Sequence, residues 1–447
     1  MIKTKLSELA KQINGTLHGS DLDFTAISTD TRTLEAGQLF WVIRGPQFDA
    51  HQFIEQAQAK GAIASVVDHA IETTQPFIVV KDTRHALGEF AKHHRQRFNL
   101  PVIAVTGSCG KTTTKALMSS IFSLAGSTLC PEQSFNNEIG LPLTLLRLNE
   151  MHHYAILELG SNHPGEIAVL TAIAQPLLAG ITNIAPVHVE GFGDLQGIAR
   201  EKRSIFQGLD PSGIAIINID EPLITDHLTL LPSQKKITFG LHSSAQITAK
   251  EVSLDIEGQL QFCLITPQDQ GKVKLKLLGE HNLNNALFAA AAAYALEIPF
   301  KTIIQGLEDC NPVGKRLNRL KGLHDSVIIN DGYNANPTAI IAAINLLAGY
   351  RGRRILVLAD MAELGPQAKH YHYQVGEAAL NAGIDMLYTL GELSEYAAQG
   401  FGSAARHYRD RQRLIVDLKS ELQKDVTVLV KGSKPQRMWE IAEALLN

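Results

Sequence analysis

Residues 106–114 read Thr-Gly-Ser-Cys-Gly-Lys-Thr-Thr-Thr and stand between an apolar run, Val102–Val105, and an amphipathic run, Lys115–Leu124. Two glycines allow the backbone to curl so that several N–H groups face one anion, and the N-terminus of a following helix adds the positive end of its dipole. A lysine here reaches phosphate oxygens, and the next threonine hydroxyl can ligate Mg²⁺. The pattern predicts a phosphate-binding loop for a nucleotide, although Val105 stands where the full motif has glycine. The predicted loop comprises Thr106, Gly107, Ser108, Cys109, Gly110, Lys111, Thr112 and Thr113.

Two further polar side chains follow apolar runs in the same part of the chain. Glu158 ends the run that begins at Tyr154, and His188 lies in the loop after Leu178–Thr182. Ligands of open α/β sheets bind at the carboxyl ends of the strands, and Mg²⁺ prefers carboxylate and phosphate oxygens. We therefore predict Glu158 as a magnesium ligand with His188 beside it; the alternative for Glu158 is a surface salt bridge. Lys202, among Arg200, Glu201 and Arg203, is predicted from composition to be an exposed helix charge.

The elements that must position these residues alternate between short apolar runs and helix-length amphipathic runs, which indicates parallel sheets with crossover helices. A helix is predicted over Arg84–Phe98, before Pro101, and another over Asn284–Leu296, before a turn at 311–314. The third block repeats strand and helix in a Rossmann-like order. We predict an α/β protein of three domains: residues 1–98, a central nucleotide-binding domain over 99–312 with a mostly parallel sheet, and a Rossmann-like domain over 313–447.

The composition of the chain excludes several classes of protein. The chain has 447 residues, 41 Lys plus Arg, 45 Asp plus Glu, a net charge of −4 and four dispersed cysteines. It has no basic field for nucleic acid, no continuous signal-peptide core and no apolar run of the ~20 residues that span a bilayer. We expect a cytoplasmic protein without nucleic-acid partners or membrane insertion.

Motifs in all three blocks resemble those of the Mur ligases, the ATP-dependent amide-bond-forming enzymes of peptidoglycan synthesis and cell-wall biogenesis. In the third block, Tyr333-Asn-Ala-Asn-Pro337 and Asp360–Gly365 resemble the members that add a dipeptide, whereas one related type of member, which adds a single amino acid, carries Tyr-Ala-His-Thr-Pro and often Asp-Asn-Pro-Arg. The resemblance is carried by Ser28–Arg32, Thr106–Thr114, Phe135–Pro142, Glu158, His188, Gly279–Ala286, Asn330–Pro337, Asp360–Gly365 and Lys431–Ser433.

The resemblance implies an enzyme that uses ATP and Mg²⁺ to add D-alanyl-D-alanine to UDP-N-acetylmuramoyl-tripeptide through an acyl phosphate, acting as a monomer on small-molecule substrates. The alternatives are a ligase of the same superfamily that adds an amino acid or polyglutamate, and a phosphate-loop switch ATPase. It also implies that Lys202 is carbamylated.

The roles implied by the resemblance are these. The metal would be held by Thr112, Glu158, His188 and Lys202, and catalysis would depend on Lys111, Lys202, His188 and Arg316. Adenine would lie near Asn282 and Asn285, although helix capping is an alternative for Asn282, and Arg316 and Asp331 would reach the γ-phosphate and ribose. The remaining substrate residues would be Ser28, Thr29, Asp30, Arg32, Arg44, Asp49 and His51 for the UDP-sugar, and Asn136, Asn137, Tyr333, Asn334, Asn336 and Ser433.

Overall fold

The computed structural model describes residues 3–45, 48–131, 135–226 and 234–446, and its strands form three main sheets in chain order. The first has the order β2-β9-β8-β5-β4, with β9, β8, β5 and β4 parallel and β2 antiparallel at one edge. The elements here are β1 Thr4–Lys5, α1 Leu6–Gln12, β2 Thr16–His18, β3 Asp23–Phe24, β4 Ile27–Ser28, β5 Leu39–Trp41, β6 Arg44–Gly45, β7 Phe48–Asp49, a 3₁₀ turn Ala50–Phe53, α2 Ile54–Ala59, β8 Ala64–Val67, β9 Phe77–Val79 and α3 Thr83–Arg95.

The second sheet is wholly parallel, in the order β11-β12-β10-β13-β14-β15, and is followed by a three-stranded antiparallel sheet, β16-β17-β18. Its strand β10 is buried at every residue, as expected for a strand covered on both faces. The elements are β10 Val102–Thr106, α4 Lys111–Ala125, β11 Thr128–Leu129, α5 Gly140–Leu145, β12 Tyr154–Glu158, α6 Glu166–Ala174, β13 Leu178–Ile181, α7 Val189–Phe192, α8 Leu195–Arg203, a 3₁₀ turn Ser204–Gly208, β14 Ile214–Asn218, α9 Pro222–Thr225, β15 Lys235–Phe239, β16 Thr248–Leu254, β17 Gln259–Ile265, β18 Gln270–Leu278, α10 Asn282–Ala295 and α11 Phe300–Asp309.

The third sheet has the order β19-β20-β24-β21-β22-β23 and is parallel except for β19. Asp331 and Lys431 end the neighbouring strands β20 and β24 in register. The elements are β19 Asn318–Lys321, a 3₁₀ turn Leu323–Asp325, β20 Val327–Asp331, α12 Pro337–Ala348, β21 Arg353–Ala359, a 3₁₀ turn Gly365–Gln367, α13 Ala368–Asn381, β22 Met386–Leu390, α14 Ser394–Phe401, β23 Ala405–Tyr408, α15 Arg411–Glu421, β24 Val426–Lys431, a 3₁₀ turn Lys434–Gln436 and α16 Trp439–Ala444.

The apolar cores show how the three units associate. Phe90 and Ala91 of α3 belong to the same buried cluster as Leu141 and Leu145 of α5 and Ile173 of α6, so the first two units share one core. The third sheet has two further clusters, to which the second unit contributes one described buried residue, Leu278 of β18. Because a shared apolar core resists separation and a polar interface does not, we expect relative motion mainly between the second and third units.

The predicted fold class, α/β with three units built on mostly parallel sheets, is confirmed by these sheets. The helix predicted over Arg84–Phe98 ends earlier, at Arg95. The guanidinium of Arg95 donates to the carbonyls of Phe98 and Leu100, which follow the last turn of the helix. The helix predicted from Lys115 begins at Lys111, directly after the loop glycine. The proposed boundaries at 98/99 and 312/313 fall between strands of successive sheets and stay predictions. No helix within the described ranges combines the length and apolar character required to cross a bilayer.

Candidate active site between the second and third sheets

The phosphate loop joins β10 to α4 and is held open by its glycines. Gly107 has φ +146, and a Cβ there would lie 2.0 Å from Thr182 Oγ1; Gly110 has φ +84 and precedes the first residue of α4. Both conformations suit glycine and expose the amides of the loop. Asn183 fixes the loop from the end of β13, since its Oδ1 accepts from Cys109 N at 2.9 Å and its Nδ2 donates to Cys109 O at 3.2 Å. The loop therefore has the shape of an anion cradle.

Two cations converge on this loop from different units. Lys111 Nζ donates to Gly107 O at 2.6 Å, and burial, the largest effect, lowers the pKa of this lysine. Arg316, from the segment before β19, donates from Nη2 to Thr112 Oγ1 at 3.1 Å, and its guanidinium lies 4.5 Å above the Tyr333 ring. A guanidinium held by a ring and a hydroxyl is suited to a transferring phosphoryl group. The third unit thus supplies a charge at the phosphate loop.

Glu158 ends β12 beside the loop and is 2% exposed. Its Oε1 accepts from Asn136 Nδ2 at 2.9 Å, while its Oε2 is buried without a hydrogen bond from any described residue and lies 3.8 Å from Lys115 Nζ. A buried carboxylate oxygen without a hydrogen bond is costly unless a cation satisfies it. This oxygen, with the Thr112 hydroxyl nearby on the loop, is a donor set of the kind that Mg²⁺ prefers. The salt bridge considered for Glu158 exists, with Lys115, but it is buried and not at the surface, since the two side chains are 2% and 5% exposed.

His188 lies at the start of α7 in a left-handed conformation, with φ 50. Its Nδ1 is hydrogen-bonded to Glu363 of the third unit, and the carbonyl of Glu363 also accepts from Glu190 N at 3.5 Å. Burial lowers the pKa of His188, and the charges of Lys111 and Lys202 lower it further, while Glu363 opposes the shift. His188 is therefore held by the third unit and lies within electrostatic range of both lysines.

Lys202 corrects the prediction from composition. Its side chain is not exposed: the residue is 1% exposed on α8, because one face of that helix packs beneath the loop after β12. Nζ donates to Ser161 Oγ at 2.8 Å and lies 5.7 Å from the centre of the Phe192 ring. No described carboxylate forms a salt bridge with it, and burial, followed by the charge of Lys111, lowers its pKa to about 7. Such an amine is neutral in a large fraction of molecules near neutral pH.

The first turn of α10 packs against the phosphate loop through two amides. Thr114 Oγ1 donates to Asn285 Oδ1 at 3.1 Å, Asn285 Nδ2 donates to Asn282 Oδ1 at 2.9 Å, and Asn282 Nδ2 donates to Leu278 O at 2.8 Å. The capping role considered for Asn282 is wrong, because its side-chain oxygen accepts from Asn285 rather than from a helix N–H. The two amides form a buried chain of hydrogen bonds on one wall of the cleft.

The third sheet presents its carboxyl edge to the same cleft. Asp331 and Lys431 form a buried ion pair, and Lys431 Nζ also donates to Asn334 O at 3.1 Å. Asn336 caps α12 by accepting from Ala339 N at 2.9 Å, and its Nδ2 donates to Cys109 Sγ at 3.2 Å. These contacts place the edge of the third sheet directly over the phosphate loop.

The structure brings most of the predicted residues into one cleft of ≈ 910 Å³. Those that line it are Ser108, Cys109, Gly110, Lys111, Thr112, Thr113, Asn136, Asn137, Glu158, His188, Asn282, Asn285, Arg316, Asp331, Tyr333, Asn334 and Asn336. Others lie behind its wall: Thr106 donates to Leu159 O, Gly107 contacts Thr182, Lys202 donates to Ser161, and Ser433 donates to Asp360 O.

The predicted UDP-sugar residues lie apart from this cleft, at the carboxyl edge of the first sheet. Ser28 ends β4, and Thr29, Asp30 and Arg32 follow it; Arg44 lies in β6, Asp49 ends β7, and His51 lies in the 3₁₀ turn after β7. The Arg32 guanidinium beside Asp30 lowers the pKa of that carboxyl to about 2. Arg84 connects the edge to the cleft, since it donates to Arg44 O at 2.6 Å and pairs with Glu138, next to Asn137.

Sequence reasoning missed several residues of the site. Lys115, Asn183, Glu363 and Lys431 each contact a predicted site residue, yet none was assigned a role. Asn183 and Lys431 stand at strand ends, and that position was an available signal. Nothing local distinguishes Lys115 from an exposed helix lysine.

Comparison with known proteins agrees with this arrangement. Family models for the "Mur ligase family, catalytic domain", the "Mur ligase middle domain" and the "Mur ligase, glutamate ligase domain" match residues 23–95, 105–293 and 315–434. The UDP-N-acetylmuramoyl-tripeptide--D-alanyl-D-alanine ligase of Escherichia coli (strain K12) is 40% identical over 100% of this chain and 99% of its own length.

Solved structures agree over nearly the whole chain. MurF from Acinetobacter baumannii has a TM-score of 0.94 at 32% identity and covers 99% of this chain and 98% of its own. The MurF ligase from Thermotoga maritima, solved in complex with ADP, has a TM-score of 0.86 at 25% identity and covers 94% and 96%. On these matches, which extend over all three units, the chain belongs to the Mur ligase family.

Proposed function

We propose that this chain is an ATP-dependent ligase that joins D-alanyl-D-alanine to UDP-N-acetylmuramoyl-tripeptide, giving the pentapeptide, ADP and phosphate. The observation that carries the proposal is the cleft itself. A phosphate loop, a buried carboxylate oxygen of Glu158 that receives no hydrogen bond from any described residue, and Arg316 from another unit converge there. The identity of the substrates is inferred from the relatives of Escherichia coli and Bacillus subtilis, which are UDP-N-acetylmuramoyl-tripeptide--D-alanyl-D-alanine ligases.

Each substrate is assigned to one unit. Residues 1–98 would bind the UDP-sugar, 99–312 ATP and 313–447 the dipeptide. ATP phosphates would lie on the amides of residues 107–112, with Lys111 at the β- and γ-phosphates and adenine beside Asn282 and Asn285. Because each of these groups comes from a single chain, we propose a monomer, and because ATP and a UDP-sugar are the substrates, we propose a cytoplasmic location.

The proposed reaction has two steps. A carboxylate oxygen of the tripeptide attacks the γ-phosphorus of ATP, the bond to the bridging oxygen breaks, and ADP leaves with that electron pair. The dipeptide amine then attacks the carbonyl carbon of the acyl phosphate, and phosphate leaves from the tetrahedral intermediate as the amine proton passes to solvent. A carboxylate needs this activation because oxide is not a usable leaving group.

Side chains of the cleft would balance the negative charge of the two substrates during these steps. Lys111 and Arg316 face the γ-phosphate, where they offset the repulsion between two anions. Glu158, Thr112 and His188 would hold Mg²⁺, with a carbamate on Lys202 as a further ligand, and the ion would neutralise phosphate charge. Glu363 orients His188, and contact of the third unit with the loop excludes water from the acyl phosphate.

The test is reconstitution with ATP, Mg²⁺, UDP-N-acetylmuramoyl-tripeptide and D-alanyl-D-alanine, with phosphate measured enzymatically and pentapeptide by mass spectrometry. Single amino acids and glutamate replace the dipeptide in parallel, because they would identify another superfamily ligase. Lys111→Met is the inactive control. Phosphate release that is indifferent to every acceptor would contradict the proposal and favour a switch ATPase.

A further inference from the structure

A second cluster of potential metal ligands lies at the carboxyl edge of the first sheet, outside the cleft. Asp68 and His69 directly follow β8, and His51 lies in the 3₁₀ turn Ala50–Phe53. One ligand atom from each of the three side chains lies within 4.8 Å of the other two. The side chains of His51, Asp68 and His69 are 12%, 19% and 58% exposed, so two of the three ligands are largely enclosed.

The orientation of His51 is fixed by a carboxylate on its far side. Its Nδ1 donates to Asp49 Oδ1 at 2.6 Å, and the backbone N–H of His51 donates to the same oxygen at 3.0 Å. In the neutral ring, a proton on Nδ1 leaves the lone pair on Nε2. Metal-ligating histidines usually donate their second ring N–H to a carboxylate in this way. The Asp49–His51 pair therefore presents Nε2 as a ligand atom.

That nitrogen has no hydrogen bond to account for its burial. Nε2 is buried and forms no hydrogen bond with a described residue, although Asp68 Oδ1 lies only 3.3 Å away. Two bonds of ~2.1 Å to a tetrahedral metal would place nitrogen and oxygen ~3.4 Å apart, with the oxygen off the ring axis. The observed distance without a hydrogen bond matches that arrangement. A lone pair facing a carboxylate is otherwise unfavourable.

His69 completes the donor set. Its Nδ1 lies 2.5 Å from the same oxygen of Asp68, and its ring centre is 4.3 Å from that of His51. Because more than half of its side chain is exposed, a small rotation can exchange the hydrogen bond to Asp68 for a metal bond. Two imidazoles and one carboxylate suit Zn²⁺ or a similar transition metal, whereas Mg²⁺ and Ca²⁺ prefer oxygen ligands.

We propose that His51, Asp68 and His69 form a binding site for a divalent transition-metal ion, with Zn²⁺ the best-matched and water as the fourth ligand. The ion would join the end of β8 to the segment after β7. Asp49, the last residue of β7, is hydrogen-bonded to His51 and pairs with Arg44 at 3.6 Å, so the ion would also fix the positions of these two side chains. The site stands on its own geometry and does not rest on the proposed reaction.

The test measures Zn²⁺ binding to the full-length protein by competition with a chromophoric chelator in excess Mg²⁺. Substitutions H69Q and D68N should each lower the affinity for one equivalent of Zn²⁺ at least tenfold. H85Q, which removes an exposed imidazole from the same unit, and Glu158→Gln, in the cleft, should both retain that equivalent. Co²⁺ should give the visible absorption of a tetrahedral site in wild type and lose it in H69Q.

Measurements of folding and turnover distinguish this metal site from the catalytic cleft. H69Q should keep the wild-type circular dichroism spectrum. It should also keep the wild-type rate of turnover in a buffer from which divalent metals have been removed by a chelator and to which Mg²⁺ has then been added. If His51 merely bridges Asp49 and Asp68 by hydrogen bonds, no saturable Zn²⁺ equivalent will distinguish H69Q from H85Q. That result, or loss of the equivalent in Glu158→Gln alone, would overturn the proposal.

Discussion

The reactivity of Lys202 is the most direct consequence of burial in this structure. An ordinary lysine with a pKa of 10.5 is neutral at pH 7 in only ~0.03% of molecules, whereas a pKa of about 7 makes about half of them neutral. Only the neutral amine attacks CO₂: a bond forms between Nζ and carbon, a proton passes to solvent, and a carbamate anion results. Burial therefore raises the reactive fraction of this amine about a thousandfold.

The perturbation is replacement of Lys202 by Met and by Arg, with Arg200→Met, on the exposed side of the same helix, as the control. Loss of an anionic metal ligand should lower turnover by roughly 10²–10³-fold in both Lys202 variants. Arginine is informative because it keeps a positive charge and cannot become the neutral amine. If Lys202 acted as a cation, the Lys202→Arg variant would keep most of the wild-type turnover.

The assays are ¹³C NMR with labelled bicarbonate and steady-state phosphate release after CO₂ removal. Wild type should show a carbamate resonance that Lys202→Met lacks. Adding bicarbonate should restore the turnover of wild-type protein from which CO₂ has been removed. Because deprotonation exposes the nucleophile, the reactivation rate at a constant concentration of dissolved CO₂ should rise with pH to about 7 and level off above it. Absence of the resonance together with full turnover of Lys202→Arg would refute the reasoning.

Three further predictions concern the cleft. Glu158→Gln should raise the Mg²⁺ concentration for half-maximal turnover at least tenfold, and an unchanged Mg²⁺ titration would remove this residue from the metal site. Arg316→Lys should lower kcat by roughly 10²-fold while ATP affinity, from equilibrium binding, changes much less; equal losses in both would contradict a role in the transition state. Lys431→Met should destabilise the third unit by about 3–5 kcal/mol in thermal melts, because Asp331 is left buried without its partner, and Asp331→Asn in the same chain should recover much of the loss.

Much of the fold was predictable because it depends on local patterns. Val102–Thr106 is apolar and buried throughout, so its strand, the glycine loop and the helix after it follow from one continuous segment. Glu158 was found by a rule about strand ends, which holds wherever parallel strands share an edge. Strands such as Ile214–Asn218 and Met386–Leu390 also coincide with continuous apolar runs of the sequence.

The connections between distant segments were not predictable from local patterns. His188 and Glu363 are 175 residues apart in the chain, and Arg316 and Thr112 are 204 apart. Each pair meets because the third sheet packs its carboxyl edge over the second. Neither partner carries a sequence signal that specifies the other, because side-chain contact depends on the relative placement of whole units.

The sequence by itself therefore determined the α/β class, the phosphate loop and the family, since short-range sterics, hydrogen bonding and apolar periodicity act within continuous segments. The tertiary structure alone decided which charges are buried. It turned Lys202 from a predicted surface charge into an enclosed amine, left one oxygen of Glu158 without a hydrogen bond, and joined Asp331 to Lys431. The physical reason is that desolvation is set by everything packed around a group, most of which is remote in the chain.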